Sequence, residues 1–231
     1  MSTNRPLDLH LALAGGPTKP LRFRVDTLII AGWAGRDAAA VRHHIEELQA
    51  IGVPPPSATP LYYAGAPGLL TTDTAVVMLG AKTSGEVEPV ILSTEDGLCV
   101  GVGSDHTDRE AEEWSVAHSK QLCGKPLGST IWRFDDVADH WDSLILRSWV
   151  AETETGARTL YQEGAMTALR RPEDLIERRG GLPIGSAMFG GTIPAIGGIR
   201  PAPFFQIEIE DPILGRRLTH GYAIKALPVA A

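Results

Sequence analysis

LCVGVGSDHTDREAEEWSVAHSKQLCGKPLG, residues 98–128, is the stretch that organises this chain. It begins with an apolar run, residues 98–102, that predicts a buried strand, and it breaks at Gly103. The strand would end beside Asp105, and the charged residues that follow predict a helix that ends near Lys120. An acid at a strand end and a lysine returned by a helix are typical of a polar site on a rigid scaffold.

Composition excludes several classes of partner. The chain has 231 residues, of which 43% are hydrophobic, which suits one large β-rich domain. The formal net charge is -7 and is spread without a basic block, so no nucleic-acid partner is expected. No apolar run approaches the roughly 18 residues of a membrane helix, so no membrane partner is expected. Only two cysteines occur, and residues 1–30 lack a signal pattern, which predicts a soluble, cytoplasmic protein.

Hydrophobic patterning predicts many strands and few helices. Alternating leucines predict a strand over residues 7–13 and a β-rich run predicts another over 22–30, so a hairpin is expected in the N-terminal segment, residues 1–26. Residues 37–52 predict a helix that Asp37 caps and that Gly52 and the following prolines end. Further strands are expected at 74–79, 87–92, 130–132, 143–150, 158–162, 204–209 and 217–226, with a short helix at 172–178.

This arrangement predicts a predominantly β protein with a few helices, of the α+β class, as a mixed β-sandwich or roll. We interpret residues 1–231 as a single domain whose core spans residues 58–231.

Three carboxylates are candidates for a metal site. Glu86 and Glu88 are two residues apart on a strand-like run, so both point to the same face. Alone, such a pair also fits a solvated face of an edge strand. Together with Asp105 they would form an all-oxygen site suited to Mg²⁺, Mn²⁺ or Ca²⁺. Lys120 would neutralise the remaining charge, although its position also fits an ordinary surface lysine.

A second group of candidates lies on the helix predicted over residues 37–52. His44 and Glu47 are three residues apart and share a helix face, so Glu47 could orient His44 as a base that activates water. A surface histidine in a charged helix is the alternative. The glycine-rich segment 185–198 allows close approach of the backbone to a ligand, but it lacks the strand and helix context of a dinucleotide loop. Neither zinc nor serine-hydrolase motifs are present.

Several segments resemble the fumarylacetoacetate hydrolase superfamily, and they occur in the order of that family. Gly85-Glu86-Val87-Glu88 is similar to its metal-binding E-x-E, and residues 103–110, GSDHTDRE, are similar to its G-N-D-x-T-A-R-D signature. The other matching segments are residues 29–48, Trp114 to Lys120, Pro126-Leu127-Gly128, residues 161–164, residues 190–194 and residues 207–210. The likeness spans roughly residues 27–220.

The resemblance implies a mixed β-sandwich roll of the fumarylacetoacetate hydrolase C-terminal type, usually a homodimer. It implies Mg²⁺ or Mn²⁺ bound by Glu86, Glu88 and Asp105, with Ca²⁺ as a further candidate. It also implies a small carboxylate substrate, and we assign its contacts to Gln162, Gly191 and Thr192, which lie in matching motifs.

The same resemblance implies catalytic roles for His44, Glu47 and Lys120. Lys120 would stabilise an enolate, His44 oriented by Glu47 would activate water, and the helix over 37–52 would close over the substrate as a lid. The leading hypothesis is a metal-dependent hydrolase that cleaves a carbon–carbon bond in a 2-oxo acid or 1,3-dicarbonyl compound. The alternatives are a decarboxylase or keto–enol isomerase at the same site, or a non-catalytic protein that binds oxo acids.

The sequence departs from the family pattern beside the metal motif. Ser104 stands where the family usually has asparagine, and His106 replaces an apolar residue. Asp108 stands in place of alanine, Glu110 in place of aspartate, and residues 33–36 lack the usual asparagine–tyrosine pair. These departures leave the three acidic positions and Lys120 intact, so they bear on the identity of the substrate and of the reaction.

Overall fold

The computed structural model describes residues 5–50 and 55–230, apart from some side chains between residues 44 and 50. Its strands are β1 (Leu7–Ala12), β2 (Thr18–Phe23), β3 (Thr27–Gly32), β4 (Leu61–Gly65), β5 (Leu70–Thr71), β6 (Ala75–Leu79), β7 (Thr83–Ser84), β8 (Val87–Thr94), β9 (Gly97–Ser104), β10 (Thr107–Asp108), β11 (Lys125–Pro126), β12 (Thr130–Arg133), β13 (Ile145–Ala151), β14 (Thr159–Ala165), β15 (Ser186–Phe189), β16 (Phe204–Asp211) and β17 (Arg216–Leu227). Its α-helices are α1 (Ala38–Ala50), α2 (Arg109–Glu112), α3 (Val116–Gln121) and α4 (Pro172–Arg179). Within the described residues, no helix has the length and apolar character needed to cross a membrane.

Two sheets carry most of the strands. The larger has eight strands in the order β2-β1-β12-β9-β8-β15-β3-β4, and the smaller has five in the order β14-β13-β16-β17-β6. Two short ladders, β10 with β7 and β11 with β5, complete the pairing. The predicted fold class, mostly strands with a few helices in a mixed sandwich, is confirmed.

The central strand β8 is buried along its whole length, including its polar residues Glu88, Ser93 and Thr94. Val87 and Ile91 belong to the main core cluster, which the five-stranded sheet completes with residues such as Ile207. Val90 and Leu92 belong to a second cluster on the opposite face of the larger sheet. Side chains alternate between the two faces of a strand. In β8 the odd-numbered residues Val87 and Ile91 therefore face one core, and the even-numbered residues Val90 and Leu92 face the other.

The N-terminal hairpin is confirmed, but its second strand covers Thr18–Phe23 and not residues 22–30 as predicted. β1 and β2 pair antiparallel, and β2 ends at Phe23. The single strand expected over residues 22–30 is wrong, because the chain breaks at 24–26 and continues as β3 in another part of the sheet, parallel to β15. The break is held by a backbone hydrogen bond from Asp26 N to Gly185 O of 2.8 Å, a long-range contact that local patterning does not reveal.

The helix ends follow the capping residues. Asp37 Oδ1 accepts from the backbone N–H of Ala39 at 2.8 Å, as its predicted N-cap role requires. The single charged helix expected to end near Lys120 is instead two helices, because the Ser115 hydroxyl caps a new one, α3. Helix α4 begins with Pro172, and Gly180 ends it in the left-handed conformation at φ 84°. Residues 51 and 52 of the predicted lid lie outside the described residues, and the lid role stays a prediction.

Candidate metal centre

One hairpin brings the three predicted carboxylates together. Glu86 immediately precedes β8, and Asp105 immediately follows β9. Val87 and Ser104 are paired across the two strands, and Asp105 N donates to Glu86 O at 3.0 Å. Both acids therefore lie at the same end of the hairpin, and Glu88 projects from the same face. One carboxylate oxygen from each of Glu86, Glu88 and Asp105 lies within 4.8 Å of the others.

Lys120 lies against this cluster, as the sequence predicted. Its ammonium donates to Asp105 Oδ2, and it lies 3.8 Å from Glu86 Oε2. Burial lowers the pKa of Lys120, but the negative charges of Asp105, Glu86 and Glu88 outweigh burial and raise that pKa well above its ordinary value. Lys120 therefore places a positive charge beside the three carboxylates.

Lys125 is a second buried cation that the sequence did not predict. Its Nζ lies 2.9 Å from Asp105 Oδ1 and donates a hydrogen bond to the backbone carbonyl of His106. The side chains of Lys125 and Asp105 are both fully buried. A lysine in the Gly-Lys-Pro-Leu-Gly run has no periodic pattern around it, so no local signal indicated its burial.

Arg109 is held by two acids. Its guanidinium lies 3.0 Å from Glu86 Oε1 and 2.7 Å from Glu112 Oε2, while Nε donates to the Ser84 hydroxyl at 2.6 Å. Burial lowers the pKa of Arg109, yet the two carboxylates outweigh it and raise the pKa above its ordinary value. Glu86 and Glu112 therefore hold Arg109 as an ion-pair partner at the edge of the cluster.

The buried carboxylates differ in their electrostatics. Burial tends to raise the pKa of Asp105, but Lys120 and Lys125 lower it far below its usual value, so Asp105 is ionised. Burial and the Asp105 charge raise the pKa of Glu88 well above its usual range. A buried carboxylate with a raised pKa gains most from a neighbouring cation, because a cation restores the stability of its charged form.

The oxygen set fits a divalent ion. Asp105 Oδ1 is fully buried and lies 2.9 Å from the Lys125 ammonium, which leaves one of its two lone pairs for a further partner. A buried carboxylate oxygen with an unused lone pair is the kind of atom that ligates a metal. Three carboxylate oxygens suit hard cations such as Mg²⁺ and Mn²⁺. Their role as metal ligands stays a prediction.

The residues predicted to contact substrate lie around the start of β8. Gly191 N donates to Glu88 Oε2 at 2.8 Å, and Gly191 has a φ of 96°, a conformation that favours glycine. The Thr192 hydroxyl donates to Val87 O at 2.8 Å. Gln162 accepts from Val87 N and donates to Thr192 and to Ile193 O, so its amide is fully used in holding these segments. Contact of the three residues with substrate stays a prediction.

His44 and Glu47 are on helix α1, but their side chains lie outside the described part of the structure. The segment that precedes helix α1 is held by hydrogen bonds from Arg36. Arg36 forms two hydrogen bonds with Asp142, of 2.8 and 2.7 Å, and a third with Leu169 O of 2.8 Å. The assignment of His44 and Glu47 as a catalytic pair therefore stays a prediction.

Ser104 and His106, the two departures next to Asp105, face away from the carboxylates. Because side chains alternate along a strand, Ser104 and His106 lie on the same face as Val102, which points into the core between the sheets. There the Ser104 hydroxyl accepts from Tyr222 Oη at 2.7 Å. Burial, assisted by the charge of Lys125, lowers the pKa of His106 to about 3, so its ring is neutral. Neither side chain therefore points to the face that carries the three acids.

Gly85 provides a first test of this packing. A Cβ at residue 85 would lie 2.4 Å from Tyr222 Oη and 2.7 Å from Ser104 Oγ. We expect Gly85→Ala to lower the free energy of unfolding by about 1–3 kcal/mol, because the added methyl overpacks a closed core. Urea unfolding measures this loss, with Gly16→Ala in an exposed turn as the control. Equal stabilities of the two variants would contradict the close packing.

A family model described as "Protein of unknown function (DUF2848)" matches residues 31–222. A search of curated proteins finds no significant sequence match.

Solved structures share the fold. A proposed fumarylacetoacetate isomerase/hydrolase from Oleispira antarctica has a TM-score of 0.66 at 16% identity, over 94% of this chain and 99% of that one. A 5-carboxymethyl-2-hydroxymuconate delta-isomerase from Mycobacterium smegmatis has a TM-score of 0.61 at 16% identity, over 92% and 86% of the two chains. A 2-keto-3-deoxy-D-arabinonate dehydratase complexed with magnesium and 2,5-dioxopentanoate has a TM-score of 0.61 at 16% identity, over 92% and 77%. The expected resemblance to the fumarylacetoacetate hydrolase superfamily is thus confirmed for the fold.

Proposed function

The chain belongs to the DUF2848 family of proteins of unknown function, and we propose that it is a divalent-metal-dependent enzyme that cleaves a carbon–carbon bond by hydrolysis. The substrate would be a small 2-oxo acid or 1,3-dicarbonyl compound of the acylpyruvate type. The observation that carries this proposal is the cluster of Glu86, Glu88 and Asp105 with their oxygens within 4.8 Å and Lys120 beside them.

The net charge of the metal-loaded site favours an anionic substrate. Three carboxylates and a divalent ion together leave one negative charge, which Lys120 alone would neutralise. Lys125 adds a second buried positive charge at Asp105, so the loaded site would be cationic. Arg109 and Glu112 balance one another. A cationic site of low dielectric attracts a carboxylate strongly, because interactions between charges are weakly screened there.

The chain's residues divide the chemistry between them. Glu86, Glu88 and Asp105 would hold Mg²⁺ or Mn²⁺, which supplies Lewis-acid polarisation of the substrate carbonyl. The Lys120 ammonium would stabilise the charge that develops on the enolate oxygen as the carbon–carbon bond breaks. His44, oriented by Glu47, would take the proton of the attacking water. Closure of α1 over the site would exclude bulk water.

A second candidate is a decarboxylase or keto–enol isomerase at the same site. Among the described residues, the hydrogen bonds and ion pairs of the three acids come from Lys120, Lys125, Arg109 and Gly191, and none comes from a histidine. These cations and the Gly191 N–H would stabilise an enolate by themselves, and neither decarboxylation nor keto–enol exchange requires attack by water. A solved structure of this fold is named as an isomerase and another as a dehydratase. Binding of an oxo acid without turnover is the third candidate, and a cytoplasmic homodimer remains our expectation.

The proposal is tested by metal binding and product analysis. We expect the protein to bind Mn²⁺ with a stoichiometry near one per chain in calorimetry or electron paramagnetic resonance. Glu88→Gln and Asp105→Asn should weaken binding by more than about 100-fold, beyond the effect of an outer-shell change. Glu110→Gln, which alters an exposed acid paired with Lys82, is the matched control.

Turnover is then measured with a panel of acylpyruvates in the presence of Mn²⁺. Release of pyruvate and a carboxylic acid supports the hydrolase, and CO₂ release or loss of the keto signal alone supports the second candidate. A wild-type protein that binds no Mn²⁺, or variants that bind as well as the control, would contradict the metal site.

A further inference from the structure

A chain of four buried polar side chains crosses the core beneath the carboxylates. Thr83 Oγ1 lies 2.9 Å from His106 Nε2, and His106 Nδ1 lies 3.2 Å from Tyr222 Oη. Tyr222 Oη donates to Ser104 Oγ at 2.7 Å. All four side chains are buried. The hydrogen bonds that link them run between their own side chains and do not involve the carboxylate oxygens of Glu86, Glu88 or Asp105.

The protons along this chain can be assigned. Tyr222 gives its only hydrogen to Ser104, so its oxygen accepts from His106 Nδ1–H. With Nδ1 as the donor to Tyr222, the other ring nitrogen, Nε2, faces the Thr83 hydroxyl at 2.9 Å. His106 and Tyr222 thus donate in the same direction, toward Ser104 Oγ, which accepts. Hydrogen bonds that run in one direction polarise one another and act as a unit.

This series of hydrogen bonds ends at the backbone of Glu86. Ser104 Oγ accepts from Glu86 N–H at 3.2 Å, and Glu86 O accepts from Asp105 N at 3.0 Å. Both backbone polar groups of Glu86 are therefore fixed by the end of β9. The other end of the chain, Thr83, is paired with Asp108 in the ladder of β7 and β10. The network thus spans the short segment that carries the first acid.

Aromatic packing fixes the orientation of the two rings. Phe205 stacks on Tyr222 with centroids 5.7 Å apart and an interplanar angle of 13°. The same Phe205 meets His106 edge to face at 5.3 Å. Gly85 leaves the space that the two hydroxyls fill. Phe205 contacts both rings, so packing determines which polar atoms of His106 and Tyr222 meet.

We propose that Thr83, His106, Tyr222 and Ser104 form one positioning network that holds Glu86 in place for metal binding. Ser104 and His106, which both depart from the family pattern, are then coupled to each other through Tyr222. This inference rests on the proposed metal site, because it assigns the network a role toward one of its ligands. Outer-shell groups of this kind orient a ligand and tune its affinity without touching the ion.

The first test is Mn²⁺ affinity. Tyr222→Phe keeps the ring and removes the hydroxyl, and it should raise the Kd about 10-fold or more. Ser104→Ala and His106→Leu should have effects of the same order. The double variant Ser104→Ala/His106→Leu should have the same Kd for Mn²⁺ as the single variant that binds more weakly. Either change alone already interrupts the network, so the second adds nothing. Tyr161→Phe is the matched control, since Tyr161 is also buried and also packs against Phe205, at 5.9 Å.

The second test needs no metal. Hydrogen exchange of the Glu86 amide, followed by NMR in metal-free buffer, should be faster in Tyr222→Phe and in Ser104→Ala than in Tyr161→Phe. Faster exchange together with weakened Mn²⁺ binding supports the network. Unchanged exchange, or additive effects in the double variant, would overturn it. If the wild type binds no Mn²⁺, the proposed metal site fails and the role toward the metal fails with it, while the exchange rates still decide whether the network holds Glu86.

Discussion

Replacing Lys120 with methionine is expected to abolish every metal-dependent turnover of this protein, lowering kcat by about 10³-fold. Methionine keeps an unbranched apolar chain of similar length, so the variant isolates the loss of the ammonium. Lys120 donates to Asp105 and lies 3.8 Å from Glu86, so it is placed beside the predicted ligands. Its ammonium is therefore placed to stabilise negative charge on a substrate oxygen at this site.

The effect on binding should be opposite in sign to that on turnover. Loss of a positive charge beside three acids favours a divalent cation, so Lys120→Met should bind Mn²⁺ at least as tightly as the wild type. Steady-state kinetics and calorimetry on the same preparation measure both quantities. The exposed Lys82, paired with Glu110, provides the control variant Lys82→Met, which should change neither.

Variants of the predicted lid separate the two candidate reactions. His44→Ala and Glu47→Gln should abolish hydrolysis, because they remove the proposed base, and they should leave decarboxylation or keto–enol exchange unchanged. Lys120→Met should abolish all three reactions. A Lys120→Met variant with normal kcat would contradict the enolate role, and normal hydrolysis in His44→Ala would contradict the assignment of the base.

Lys125→Met is expected to move metal affinity and stability in opposite directions. Lys125 and Asp105 form a fully buried ion pair at 2.9 Å. Removing one partner of a buried pair typically costs about 3–5 kcal/mol, and we expect about 3 kcal/mol because Lys120 still neutralises Asp105. The same change makes the site more negative, so Mn²⁺ should bind about tenfold more tightly or better.

The two effects are measured by urea unfolding with and without saturating Mn²⁺. The destabilisation should be largest in metal-free buffer and partly reversed by Mn²⁺, because a ligand that binds only the folded state stabilises it. Lys82→Met again removes one charge without touching the pair. If Lys125→Met instead weakened Mn²⁺ binding, Lys125 would act by orienting Asp105 and not by its charge.

Local rules were sufficient to predict the acidic site. Glu86 and Glu88 share a face because strands alternate, and Asp105 follows an apolar run that could only be a buried strand. The helix predicted to follow Asp105 ends near Lys120, which is why this lysine was predicted to lie beside the acids. The caps at Asp37 and Gly180 were predictable for the same reason, since each depends on a few neighbouring residues.

Contacts between distant segments were not predictable in this way. The burial of Lys125 against Asp105 and the pairing of Tyr222 with Ser104 join residues 20 and 118 positions apart. The break between β2 and β3 depends likewise on Gly185. Patterning thus establishes which residues share a face, because that depends on backbone periodicity. Which buried polar groups meet across the core, and so which charge compensates each acid, depends on how the two sheets and their loops pack, and only the tertiary structure decides it.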